Sequence, residues 1–197
     1  MASTPQPRRG NTRQRIQDVA LDLFAEQGYD KTSLREIAER LDVTKAALYY
    51  HFKTKEDILE GIFEDMNRPI EELLAWGAGQ PRTLETKKEI LVRYSKALEA
   101  ASPFFRFMQE NQATVRDLRI GHTMKHRVIA LVDLIKDPDA PLADQVRCFT
   151  ALMAMHAGVF ALRDAEGDPE EKREAALEVA VELVAKAHEE GPDGPAA

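Results

Sequence analysis

Between Val43 and Leu59 the chain reads VTKAALYYHFKTKEDIL. Two tyrosines, a histidine and three lysines gather around a few apolar residues. Ammonium groups, imidazole nitrogens and phenolic hydroxyls all hydrogen-bond phosphate oxygens. Threonine and lysine also reach base edges, and an alanine methyl can meet a thymine methyl. The chemistry on offer is polyanion binding, with a few groups able to read bases.

Such side chains act only if local structure holds them. From Thr12, Ile16, Ala20, Leu23 and Phe24 recur at helical spacing with Val19 beside them, and Gly28 ends that helix. Ser33 caps the next helix and Glu36, at its third position, closes a capping box. Ile37, Ala38 and Leu41 supply its buried side. Asp42 and Val43 make a short turn, and Thr44 caps a third helix running to about His51. Thr54 caps a fourth, followed by Asp57 at its third position and by Ile58, Ile62 and Met66.

Two short helices joined by a tight turn, with the first helix of the chain free to pack across both, make a helix-turn-helix over residues 33–51. Such a unit lays its second helix in the DNA major groove. Thr44, Lys45, Ala46 and Tyr49 fall near the groove-facing end of that helix, and Leu48 falls in the core. Tyr50, His51 and Lys55 suit phosphates. Thr32 and Ser33 lie at a helix N-terminus, which also accepts a phosphate. Taken singly, Tyr49 or Tyr50 also fits a core aromatic, His51 a helix-end cap, and Lys53 and Lys55 ordinary surface. Spacing, caps and charge together favour DNA.

The chain has 197 residues and a formal net charge of -7. Residues 1–55 hold ten Lys and Arg against seven Asp and Glu, a net +3, which leaves -10 for the rest. A small basic module is joined to a larger acidic one. Residues 1–11 are polar and read as a disordered basic arm. Its arginines and those just after it, Arg8, Arg9, Arg13 and Arg15, serve phosphates or solubility. Residues 12–56 form the helix-turn-helix domain, 57–190 a larger helical domain and 191–197 a disordered tail. Further helices are expected over about 84–101, 104–115, 118–136, 141–164 and 170–189, broken at Pro81, Pro103, Pro138 and Pro169. The expected fold is all-α, with about nine helices.

The runs A-x-x-L-F-A-E-Q-G-Y and T-S-L-R-E-I-A-E-R-L-D-V-T-K-A-A-L-Y-Y-H-F-K-T-K-E-D-I-L carry a resemblance. From about Arg15 to Leu59 the chain resembles the DNA-binding domain of TetR/AcrR-type bacterial transcriptional regulators. The resemblance covers under a quarter of the chain. It implies DNA contacts from Ser33, Lys45, Tyr50, His51 and Lys55, with Thr32, Thr44 and Tyr49 as additional ones. Ala46 departs from the glycine of many members and is still small enough for close approach. A start without an apolar h-region and the lack of a membrane-length apolar run make a cytoplasmic protein the expectation. The resemblance further implies a homodimer, with a palindromic operator of double-stranded DNA expected. A small-molecule effector, held in the C-terminal domain, would release it. Most members are repressors.

In the larger domain, Leu152, Met155 and Val159 on one helix and Leu177, Ala180, Val181 and Val184 on the last form apolar stripes. They fit a two-fold four-helix interface, or equally the core of one chain. Phe104, Phe105, Phe107 and Met108, with Met124, Arg127, Met153, His156 and Phe160, are candidate effector contacts in an adaptable apolar pocket. Each also fits plain core, and Arg127 a surface ion pair. His122 and His126 have a spacing that suits two metal ligands, but no third ligand follows, so no metal is expected. G-x-S-x-G, P-loop and Rossmann patterns are absent. The one cysteine, Cys148, reads as core. Neither an enzyme nor a cofactor is expected, and no apolar run approaches a membrane span. The competing reading is a helical small-molecule-binding or interaction protein that does not read DNA specifically.

Overall fold

Short helices need their ends satisfied, and here local side chains do most of that work. The computed structural model describes residues 9–111, 120–160, 162 and 165–189. Residues 1–8 of the expected arm, the expected tail 191–197 and the side chains of Arg9, His122, Met124, Val159 and Phe160 lie outside the described residues. Eight helices and no strand occur among the described residues. They are α1 (Arg9–Gln27), α2 (Leu34–Arg40), α3 (Lys45–His51), α4 (Lys55–Ala78), α5 (Leu84–Glu110), α6 (Ile120–Ile135), α7 (Leu142–Phe160) and α8 (Pro169–Glu189).

One expected break is missing. The sequence predicts a stop at Ser102–Pro103, yet α5 runs through Pro103. A proline inside a helix removes one backbone hydrogen bond and costs about 3 kcal/mol. Glu99, whose carbonyl loses that bond, is an exposed residue. Ala101, Phe104, Phe105 and Phe107 are buried on either side of the proline. Burying each phenylalanine contributes about 1.5–3 kcal/mol, which outweighs the loss. The expected segment 104–115 is therefore the end of α5, and beyond Asn111 it lies outside the described residues. Pro69 sits inside α4 in the same way, also exposed.

The chain divides into two compact units. One holds the described residues up to Asp65 together with those from Pro103 to Asn111. Its core takes Ile16, Ala20, Leu23 and Phe24 from α1, Ile37 and Ala38 from α2, Leu48 from α3, and Ile58 and Leu59 from α4. These are the helical-spaced apolar positions of the sequence. The other unit holds Met66–Ser102 and the described residues from Ile120 onward. There α7 and α8 pack along each other. Gly158 makes the approach possible: a Cβ on it would stand 2.6 Å from the Ala176 Cβ.

A buried ionic cluster ties the second unit together. Lys87, in the first turn of α5, is 1% exposed and donates to both carboxylate oxygens of Asp137 at 2.8 Å. His188, near the end of α8, places Nδ1 3.3 Å from the same ammonium. Breaking a buried pair by removing one partner leaves an uncompensated charge, whereas replacing both by apolar groups is often neutral. Asp137→Ala is therefore expected to cost about 3–5 kcal/mol in chemical denaturation. The double change Lys87→Met with Asp137→Leu should recover most of that loss; a double variant no better than the single one refutes the account.

Candidate nucleic-acid interface

The Ser33 hydroxyl accepts the Glu36 N–H at 3.2 Å, and the Glu36 carboxylate accepts the Ser33 N–H at 2.7 Å. That is the capping box the sequence predicts. The Ser33 hydroxyl in turn donates to the same carboxylate at 2.8 Å. These bonds hold the Glu36 carboxyl below its ordinary pKa. At the other end of α2 the Val43 N–H reaches the Ala38 carbonyl at 3.0 Å, and the Asp42 N–H reaches Glu39 at 3.2 Å. This is a Schellman closure, with Asp42 at φ 54° in the left-handed place usually taken by glycine. The turn aims the chain into α3, where the Thr44 hydroxyl accepts the Ala47 N–H at 3.1 Å.

With its ends fixed, α3 fully buries one residue and leaves Lys45, Ala46, Ala47 and Tyr50 exposed. Leu48 is fully buried. Thr44, Lys45, Ala46, Ala47 and Tyr50 are exposed, Tyr50 to 82%. Tyr49 is half-buried, with the Lys45 ammonium 5.4 Å from its ring centroid. His51 is half-buried and meets the Tyr50 ring edge-on at 5.3 Å. Lys53 donates to the Tyr49 carbonyl near the end of α3. Phe52, just beyond the helix, is buried under the Arg13 guanidinium, 4.6 Å from its ring centroid. Arg15 is exposed.

Two of the predicted contacts have internal partners. Thr32 is 2% exposed, and its hydroxyl donates to the Gly28 carbonyl at 2.9 Å. It locks the turn before α2 and is not displayed. Lys55, first residue of α4, is half-buried and donates to the Tyr29 carbonyl at 2.6 Å. Its ammonium also sits 4.1 Å from the Tyr29 ring centroid. Tyr29 is the residue that sequence reasoning missed. It is buried, packs against Phe24 at 5.0 Å and Phe107 at 6.1 Å, and donates its hydroxyl to Glu56 at 2.8 Å. No local pattern links positions 26 apart, so only its place beside the helix-ending glycine was visible.

The candidate effector residues separate. Phe104, Phe105 and Phe107 are buried and Met108 half-buried in the first unit, where Phe104 and Phe107 join the aromatic cluster of Phe24, Tyr29 and Phe63. Arg127, Met153 and His156 belong to the second unit. Arg127 pairs with Glu71 at 2.5 Å. His156 Nε2 and the Tyr94 hydroxyl share a 2.6 Å hydrogen bond. Burial raises the Tyr94 pKa and lowers that of His156, which favours the neutral form of both. Among the candidate interface residues, Leu152, Met155, Ala180 and Val184 are buried within one chain, and Leu177 and Val181 are half-buried. The first four side chains therefore line the chain's own core, because α7 and α8 face each other. Among the described residues, the large apolar ones left exposed on α7 are Leu142, Val146 and Phe149, and Val179 is exposed on α8. Burial pushes the Cys148 thiol up to about 11. Among the described residues no group of three His, Cys, Asp or Glu side chains is placed to hold a metal, and no helix is long and apolar enough to cross a membrane.

The fold and this site define a helix-turn-helix head on a larger helical body. Residues 16–62 match the profile of the bacterial regulatory proteins, tetR family. Over 83 residues the chain is 47% identical to the HTH-type transcriptional regulator AcrR of Shigella flexneri, which covers 41% of this chain and 39% of that protein. The chain thus matches about two fifths of the length of that curated relative. Solved structures are similar over much more of the chain, and these likenesses concern the fold. A putative fatty acid metabolism regulator of Clostridium perfringens has a TM-score of 0.66 at 18% identity, covering 87% of this chain and 97% of that one. A SmeT–triclosan complex has a TM-score of 0.66 at 20% identity, covering 87% and 90%. Through residues 16–62 the head is similar to the DNA-binding domain of the TetR/AcrR family of bacterial transcriptional regulators.

The neutral His156 has a consequence for stability. Below the ordinary imidazole pKa of about 6.5 the unfolded chain takes up a proton that the folded chain refuses. The contribution of this site is therefore full above that pH and is lost as pH falls toward the lowered folded value. Urea midpoints measured from about pH 7 down to 5 should fall less steeply in His156→Gln than in the wild type. Parallel curves refute this.

Proposed function

We propose that this chain is a sequence-specific DNA-binding regulator, a homodimeric repressor released from a palindromic operator by a small-molecule effector. The observation that carries the reading is the face of α3. Its short helix buries Leu48 and leaves Thr44, Lys45, Ala46, Ala47 and Tyr50 in solvent. A largely exposed tyrosine beside a lysine and small residues has no packing role, and it fits a groove wall. Lys45 and Thr44 are assigned to base edges, with Ala46 and Tyr49 beside them. Ser33, Tyr50, His51 and Lys55 are assigned to phosphates, which fix position without reading sequence. Thr32 acts from beneath by holding the turn that presents Ser33.

Dimerisation is proposed through the apolar residues that α7 and α8 leave in solvent. Leu142, Val146 and Phe149 follow at spacings of four and three, and so share one face of α7. Val179, with half-buried Leu177 and Val181, supplies apolar surface on α8. Effector binding is supported by the fold likeness to SmeT, whose structure holds triclosan. Met153 and His156, half-buried on α7, are the proposed contacts in this chain. A dimeric regulator of this kind works in the bacterial cytoplasm, where its operator is.

Selection of bound duplexes from a random DNA pool should enrich a palindrome; folded protein that enriches nothing defeats the DNA reading. Lys55→Ala should weaken binding to every duplex alike and lower the salt slope by about 0.9. Lys45→Ala should also change the preference among duplexes, and equal losses on all of them refute its base-reading role. Phe149→Asp should leave a folded monomer in sedimentation, with dimer affinity lower by about thirtyfold or more. Leu152→Asp should instead unfold the chain, because that side chain is core. A Phe149→Asp protein that stays dimeric removes α7 from the interface.

A further inference from the structure

Tyr29 has no exposed surface to offer DNA, yet three of its parts engage the start of α4. Its carbonyl accepts the Lys55 ammonium at 2.6 Å. Its ring lies under that ammonium, 4.1 Å from centroid to Nζ. Its hydroxyl donates to Glu56 at 2.8 Å. The ring is in turn held from behind by Phe24 and Phe107, at 5.0 and 6.1 Å. A lysine side chain in solvent samples many rotamers, and any phosphate contact must freeze them. Here two independent attractions, a hydrogen bond and a cation–π contact, fix one position before any partner arrives. An ammonium has three N–H donors, and the Tyr29 carbonyl takes one. Two remain to turn toward an anion.

We infer that Tyr29 is a positioning residue for phosphate binding: it holds the Lys55 ammonium in place and so lowers the entropic cost of the contact. The inference rests on the reading of Lys55 as a phosphate contact and goes beyond it, since Tyr29 itself touches no DNA. The aromatic cluster behind the ring makes the position rigid. A carbonyl alone would leave the four-carbon stem free to swing, and the ring face removes that freedom.

The test is a salt series of fluorescence titrations with a labelled random-sequence duplex, because a phosphate contact does not depend on the operator. The proteins are the wild type, Tyr29→Leu, Tyr29→Phe, Lys55→Ala and the double variant Tyr29→Leu with Lys55→Ala. Folded content is checked by circular dichroism. Tyr29→Met, whose flexible chain refills the space without a ring face, replaces Tyr29→Leu if that variant does not fold. Tyr29→Leu is expected to weaken binding and reduce the salt slope by up to about 0.9, the value of one phosphate contact on B-DNA. Tyr29→Phe, which keeps ring and carbonyl, should retain the wild-type slope. Adding Tyr29→Leu to Lys55→Ala should change nothing further. Equal losses with and without Lys55, at an unchanged slope, mean that Tyr29 is only structural and overturn the inference. Unchanged or tighter binding by Tyr29→Leu overturns it as well. A wild-type chain that binds no duplex even at low salt sinks the DNA reading first, and this inference with it.

Discussion

The display surface of this protein depends on the burial of one leucine. A helix of seven residues does not persist alone in water, because nucleation is unfavourable and propagation over so few residues cannot repay it. Leu48 supplies the tertiary contact that α3 lacks internally. Once it is buried, helical geometry decides the rest: Ala46 and Tyr50, two before it and two after it, turn outward. Thr44 closes one end, and the buried Phe52 fixes the other. The polar residues of α3 are thus presented by a packing decision, and a change at Leu48 would remove every one of them without touching a polar group.

The same logic governs the start of α4. Its first turn is capped twice over: Asp57 accepts the Lys53 N–H at 2.8 Å and the Thr54 N–H at 3.0 Å, while the Thr54 hydroxyl accepts the Asp57 N–H at 3.0 Å. A rigid helix start gives Lys55 a fixed root, and Tyr29 gives its ammonium a fixed end. Two cations near one surface are therefore held differently. Lys45 is exposed on α3, with a loose contact to the Tyr49 ring. Lys55 is clamped, as suits a contact that sets register. The difference in freedom between the two lysines follows from what each side chain rests on.

What the sequence revealed was whatever acts over short separations. Caps, turns and the apolar spacing of α1 to α4 involve partners three to five residues apart, and a pattern of that range is visible in the chain itself. Contacts at long separation left no trace. Tyr29 meets Lys55 across 26 positions, and Lys87 meets Asp137 across 50. Nor does composition say which side of an apolar helix is inside. The sequence of α7 is rich in apolar residues, and Leu152 and Met155 fitted a partner interface and the chain's own core equally well. Only the packing of α8 decides between them. Pro103 misled for a related reason: its local cost is certain, but the burial that overcomes it comes from distant side chains.

The acidic balance of the chain also becomes consistent at this scale. Charges in solvent are screened beyond about 8 Å at physiological ionic strength, so a phosphate near α3 responds to its immediate neighbours and not to the net -7. From Val43 to Lys55 there is no Asp or Glu at all. Beyond Asp42, which adjoins that stretch and is exposed, three flanking carboxylates are engaged in the local structure. Glu36 caps α2, Glu56 accepts the Tyr29 hydroxyl, and Asp57 caps α4. Each sits in the first turn of a helix, where backbone N–H groups and the positive end of the dipole offset its charge. All three carboxyls are held below their ordinary pKa, as such partners require. Glu36, Glu56 and Asp57 therefore help to build the local scaffold around α3 and the start of α4, and their own charge is offset by the groups they accept from.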